Sequence, residues 1–251
     1  MTLLIDIGNS RIKWTMVVRG KLRPAAGGAR PASADLAATA EQWWGKLKAP
    51  GRILVSNVAG AEFASALGDW CRIQWQLEPE LVTPQAEAYG IRNGYVMPER
   101  LGADRWTALI AARRRSRGPV CIIDAGTALT LDLVTADDVH QGGLIIPGLE
   151  MMRRALLERT GVLSSAAGSA VRGAVSLLAR DTRDGVEGGT LYALVATIDR
   201  VVADIGAELG QRPYCFITGG NAADLLPLLA GDYHHVPDLI LEGLAIIAEK
   251  R

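Results

Sequence analysis

The chain has 251 residues, 49% hydrophobic and 22% charged, a composition of folded domains rather than disordered chain. Lysine plus arginine equals aspartate plus glutamate, 27 against 27, so no net field draws it toward nucleic acid or an anionic membrane. No apolar run approaches the roughly 20 residues of a membrane helix. The three cysteines are odd in number and lack metal spacing. Cys121 and Cys215 sit inside apolar runs and read as small core residues. With no basic-then-apolar leader at the start, a soluble protein of the reducing cytoplasm is expected, without nucleic-acid or membrane partners.

In chain order, apolar runs predict strands over 3–7 and 12–18, a helix over 34–47, a strand over 52–55, and helices over 61–70 and 103–115. Strands over 120–124, 129–134 and 143–146 follow, then helices over 149–159 and 189–209. A strand over 214–218 and helices over 221–229 and 239–250 close the chain. "RGKLRPAAGGARPAS" reads as a turn and exposed loop, and "TGVLSSAAGSA" is similar. Strands followed by helices, occurring twice, argue for an α/β architecture of two related halves, divided at 1–116 and 117–251.

Two stretches repeat one layout. "LLIDIGNSRIKWTMV" places Asp6 and Gly8 after an apolar run, and "VCIIDAGTALTLDLV" does the same with Asp124 and Gly126. Either both are ordinary strand-to-strand turns, which Asp and Gly favour, or they are phosphate hairpins facing one another across a cleft. In the second case glycine admits close backbone approach, and successive N–H groups form an anion site. Asn9, Ser10 and Thr127 add neutral donors, and Lys13 or Arg11 adds positive charge. A carboxylate beside a phosphate requires a cation between them, and magnesium commonly takes one or two carboxylates with phosphate oxygens and water. "CFITGGN" ends a strand on two glycines, either a plain loop or room for a flat base or ribose. Neither a P-loop nor a GxGxxG fingerprint occurs.

The blocks "DIGNSRIK", "YVMPERLGADRW", "DAGTALTLD", "GGLIIPGLEMMRRAL" and "PDLILEGL" together resemble the type III pantothenate kinases, or Bvg accessory factor family, of the acetate and sugar kinase/actin-like ATPase superfamily. The resemblance implies two duplicated actin-like ATPase (ribonuclease H-like) domains with a nucleotide cleft between them. It implies ATP-dependent phosphorylation of pantothenate, the first step toward coenzyme A, by a homodimer using magnesium and a monovalent cation, potassium or ammonium. By motif, Asp6, Ile7, Gly8, Asn9, Ser10, Arg11, Ile12 and Lys13 would hold ATP phosphates, and Thr127 would contact ATP. Asp124 would bind the monovalent cation. Tyr95, Gly102, Ala103, Asp104 and Arg105 would line the pantothenate pocket, with Asp104 as general base, and Thr182 matches a late substrate-contact threonine. Ser10 stands where the family more often has threonine, and the hydroxyl survives.

Residue by residue, other uses compete. Asp104 could complement the dipole of the helix it opens, Arg105 could form a surface ion pair, and Tyr95 could be a packed ring. "AARRRSR" reads as a solvated basic face at a helix end, the Trp43–Trp44 pair as core plus interface, and His140, His234 and His235 as lacking metal-site spacing. The alternatives to a pantothenate kinase are an actin-like kinase or phosphatase for another small substrate, and a nucleotide-binding regulator without turnover.

Overall fold

The computed structural model describes residues 1–160 and 178–249. The run "TLLIDI" forms β1 (Thr2–Ile7), which turns back through Gly8, Asn9 and Ser10 into β2 (Arg11–Val18), pairing antiparallel from Thr2↔Val17 to Ile7↔Ile12. β3 (Lys21–Leu22) and β4 (Ala26–Ala29) both pair with β2. α1 (Leu36–Trp44) then carries the chain to β5 (Arg52–Asn57), parallel to β1, because parallel neighbours need a crossover. α2 (Ala61–Trp75), β6 (Glu80–Leu81), the short β7 (Glu87–Ala88) and β8 (Ile91–Arg92) hairpin, and α3 (Ala103–Arg115) follow. The sheet runs β3-β2-β1-β5-β6.

A second sheet repeats that plan. β9 (Val120–Ala125), β10 (Ala128–Val134) and β11 (His140–Pro147) are neighbours, and the two-residue connection between β9 and β10 requires an antiparallel pair. α4 (Leu149–Thr160) and α5 (Thr182–Leu209) precede β12 (Tyr214–Thr218), which is parallel to β9. After α6 (Ala222–Leu225) comes β13 (Tyr233–His235), parallel to β12, and then α7 (Leu239–Glu249). The order β11-β10-β9-β12-β13 has the connectivity of the first sheet.

The chain divides into two compact units. The first holds Met1–Arg117, Val134–Gly142 and the C-terminal stretch from Asp238. The second holds Gly118–Leu133 and Gly143–Pro237. A single cut between 116 and 117 assigns Val134–Gly142 and α7 to the second half, whereas they pack with the first.

Alternation along β1 decides what each face covers. Leu3, Ile5 and Ile7 join Ile12, Ile53, Val55 and the residues Leu36, Ala40, Trp44, Phe63 and Leu67 of α1 and α2 in one core. Leu4 and Asp6 therefore lie on the opposite face. In the second unit Cys121, Ile123, Ala125, Leu129, Leu131, Cys215 and Ile217 pack against Leu191, Leu194, Val195, Ile198 and Val202 of α5. Cys71, Cys121 and Cys215 are all buried, and burial pushes the Cys71 thiol up to about 12. A hydrogen bond with Cys215, then burial, holds Cys121 well above the ordinary thiol range.

Several expectations are corrected. The segment read as an exposed loop contains β3 and β4. Gly28 lets that edge lie on Trp43, since a Cβ there would meet the indole at 2.5 Å. Trp43 stacks on Trp14 at 4.6 Å, and Trp44 is fully buried. The helix expected over 189–209 begins at Thr182, its glycines overridden by Asp181, whose Oδ1 accepts the Asp184 N–H at 3.0 Å. The helix expected over 221–229 stops at Leu225 and becomes a 3-10 turn around Pro227, which cannot donate within a helix. Arg113, placed on a solvated basic face by its sequence context, is 3% exposed. Arg114, Arg115 and Arg117 are exposed as expected. Residues 161–170 of the second expected loop lie outside the described residues. Among the described residues no helix is long and apolar enough to cross a membrane.

Candidate active site

The first hairpin is closed by the Gly8 N–H, which donates to the Arg11 carbonyl at 3.0 Å. A Cβ on Gly8 would lie 3.1 Å from that oxygen, so the tight turn favours glycine. Arg30 braces the loop from β4's end. Its backbone N–H donates to the Ser10 carbonyl at 2.9 Å, and its Nε to the Asn9 carbonyl at 2.8 Å. Asn9, Ser10 and Arg11 are exposed, while Ile7 and Ile12 are fully buried and can offer a ligand only their backbone. Asp6 is half-buried opposite Lys13 in the β1–β2 register, and Lys13 Nζ lies 3.6 Å from Asp238 Oδ1 at the start of α7.

Also in the first unit, α3 presents the second group of predicted residues. Gly102 is its N-cap with φ −59° and ψ 139°, backbone angles open to any residue. Its missing side chain serves another purpose: a Cβ would fall 2.5 Å from Asp104 Oδ1. Asp104 is half-buried in the first helical turn, where a carboxylate is favoured by the dipole, and its Oδ1 accepts the Arg105 N–H at 2.7 Å. Arg105 is 7% exposed and is no surface ion pair. Its Nη1 donates to the Tyr95 hydroxyl at 2.5 Å, and its guanidinium lies 5.4 Å from the centre of the Tyr95 ring. Ala103 is buried, and its carbonyl accepts from the Thr107 hydroxyl. Helix α7 reaches α3 closely because Gly243 has no side chain, and a Cβ there would lie 2.0 Å from the Thr107 carbonyl.

In the second unit, β9 and β10 meet in a turn closed by the Gly126 N–H and the Ala128 carbonyl at 3.1 Å, matching the closure at Gly8. Two further glycines converge on it. Gly148 donates to the Thr127 carbonyl at 3.1 Å, and Asn221 donates to the Ala125 carbonyl at 2.9 Å. Gly219 has φ +94°, and a Cβ there would lie 2.5 Å from both the Ala125 backbone and Asp124 Oδ1. Gly219, the first of the two glycines after β12, thus leaves room for the Asp124 carboxylate. Thr182 is exposed as the first residue of α5.

The structure therefore brings Tyr95 to Arg105, Gly102 to Asp104, and the Asp124–Thr127 turn to Gly148 and Gly219. Sequence reasoning gave no site role to Asn93, Gly148 or Asp238 and named His140 only as lacking metal-site spacing, although Gly148 and Asp238 stand in the blocks "GGLIIPGLEMMRRAL" and "PDLILEGL".

A repeated sheet of one connectivity, each with an Asp-x-Gly hairpin after its first strand, defines a duplicated actin-like fold. Solved structures agree on the fold. A Baf family protein from Campylobacter jejuni is 18% identical with a TM-score of 0.60, covering 99% of this chain and 98% of its own. A protein described as a 2-dehydro-3-deoxygalactonokinase from Sinorhizobium meliloti is 15% identical with a TM-score of 0.58, covering 99% and 98%. The type III pantothenate kinase family profile matches residues 2–204. Type III pantothenate kinases from Nitrosococcus oceani and from Azoarcus sp. are 44% and 38% identical, each spanning 99% of this chain and 94% and 90% of their own lengths. The chain belongs to the type III pantothenate kinase family.

Proposed function

We propose a division of labour among the named residues for the family's reaction, in which ATP phosphorylates pantothenate on the way to coenzyme A. The observation that carries it is the first turn of α3, where Asp104 stands next to a buried Arg105 already oriented by the Tyr95 hydroxyl. Successive helical residues diverge by about 100°, so the two side chains suit opposite ends of an elongated ligand. Arg105, with Tyr95, takes the pantothenate carboxylate, for which a planar guanidinium is well matched. Asp104 accepts the proton of the attacking primary hydroxyl, and Gly102 and Ala103 line the same turn. Thr182 contributes a further hydroxyl to the substrate.

The hairpin residues Gly8, Asn9, Ser10 and Arg11, the last three exposed, hold the phosphates of ATP with Lys13 and Thr127. Phosphoryl transfer demands in-line placement and charge neutralisation more than covalent help. Among the described residues no cluster of three metal-ligating side chains occurs. The hard carboxylates Asp6 and Asp124 fit cations that share their ligands with phosphate and water, as magnesium does. Magnesium would be held through Asp6 and would neutralise phosphate charge. A monovalent cation, potassium or ammonium, would be held through Asp124, whose carboxylate lies against Gly219. The working form is a homodimer in the cytoplasm.

Asp104→Asn tests the central role. It should lower kcat by roughly 10²–10⁴, the range for a general base, while ATP affinity is retained. Near-normal turnover would remove Asp104 from proton transfer.

A further inference from the structure

We infer that residues 135–140 form a positioning element for the Tyr95–Arg105 pair, with His140 fixing the Tyr95 ring. The inference rests on the reading that Arg105 takes the substrate carboxylate. This excursion of the chain belongs to the first unit although β9, β10 and most of β11 do not.

Its anchor is the buried Arg113. Arg113 Nε pairs with Asp138 Oδ1 at 2.6 Å, Nη2 donates to the Thr135 carbonyl at 2.7 Å, and Nη1 donates to the Ser116 carbonyl at 2.9 Å. The excursion is thereby tied to the far end of the helix whose first turn carries Asp104 and Arg105. From that anchor it reaches the strand before Tyr95. The Arg92 N–H donates to the Asp138 carbonyl at 2.9 Å, and Val139 bridges Arg92.

The tip is His140, fully buried. Its ring lies nearly parallel to Tyr95, 16° between planes and 5.9 Å between centres. Its Nδ1 stands 3.4 Å from Asn93 Oδ1, the same oxygen that accepts the Tyr95 N–H at 3.0 Å. Asn93 Nδ2 in turn donates to the Pro98 carbonyl at 3.2 Å. Gly94 makes the approach possible, since a Cβ there would coincide with the His140 carbonyl oxygen at 1.9 Å. Tyr95 is thus held at its backbone by Asn93 and at its ring by His140, and its hydroxyl holds Arg105. A flat buried ring limits how Tyr95 can tilt, and so where the guanidinium sits. His140 touches no reacting atom in this scheme. Its contribution is orientation.

The test compares pantothenate with its neutral analogue, in which CH2OH replaces the carboxylate, as substrates for wild type, Arg105→Gln, His140→Ala and His140→Phe. Arg105→Gln should lower the preference for the carboxylate roughly 10–100-fold, as loss of a charged hydrogen bond does. His140→Ala should lower that preference about fivefold or more through the pantothenate KM, with the ATP KM unchanged. His140→Phe, which restores a flat ring, should recover most of it. If His140→Ala does not fold, His140→Leu is read by the same criteria. An unchanged preference in His140→Ala, or equal losses on both substrates, overturns the inference while leaving Arg105 in its role. An unchanged preference in Arg105→Gln overturns the pocket reading itself.

Discussion

Replacing Gly102 by alanine separates a steric requirement from a backbone one. The backbone at Gly102 (φ −59°, ψ 139°) accepts alanine without strain, and the position is an N-cap with no side-chain hydrogen bond to lose. Alanine is a poorer N-cap than glycine, so the stability cost should stay within about 1 kcal/mol, or about 2–4 °C in Tm for a chain of this size. The new methyl would sit 2.5 Å from Asp104 Oδ1, whereas ordinary contact begins near 3.4 Å, so the carboxylate must withdraw by close to 0.9 Å. Misplacing a catalytic group by about 1 Å can cost 10² in rate. Gly102→Ala should therefore lower kcat roughly 10–100-fold with a melting temperature close to wild type. Steady-state kinetics beside differential scanning calorimetry read the two quantities. Wild-type kcat in a folded Gly102→Ala variant would refute the link between this glycine and the Asp104 carboxylate, and a large fall in Tm would show that the glycine serves folding.

Asp124→Ala should blunt activation by potassium or ammonium, measured as the ratio of turnover with and without the ion; an undiminished ratio contradicts its cation role. Gly219→Ala, at φ +94° and against the Ala125 backbone, should destabilise the protein by at least about 1–2 kcal/mol, read as a lowered midpoint in urea unfolding. A midpoint equal to wild type would mean that the turn relaxes freely. All three cysteines are buried and the Cys71 thiol is pushed up to about 12, so the native protein at pH 8 should react with no equivalent of a thiol reagent and the denatured chain with three. Rapid labelling of the native form would contradict the packing described.

Local pattern carried much of the fold. The apolar frames around Asp6 and Asp124 announced both hairpins, because a strand buried on both faces leaves only its end free to be polar. The pairing of β3 and β4 with β2 was hidden, since the glycines and prolines of this segment signal a loop, and only the contacts of a Gly28 Cβ with the Trp43 indole and of a Gly27 Cβ with the Ile12 carbonyl explain why glycine is needed there. The early start of α5 was hidden for a similar reason: Gly185, Gly188 and Gly189 suppress the helical pattern, while the Asp181 cap that starts it is a local hydrogen bond. Within the site, the Asp104–Arg105 pair was legible from its block. Asn93, His140 and Arg113 were not, because their partners are 47 and 22–25 positions away and nothing in spacing encodes such contacts. Arg113 looked like part of a solvated run because its three charged neighbours are exposed and only its own side chain turns inward.

The most direct test of the account is ADP release by the purified protein, followed in a coupled assay with ATP and magnesium, with and without pantothenate. Release that depends on pantothenate and matches the phosphorylated product mole for mole is the predicted result. ATP hydrolysis at the same rate without pantothenate, or none with it, would contradict the assignment of these residues to phosphoryl transfer.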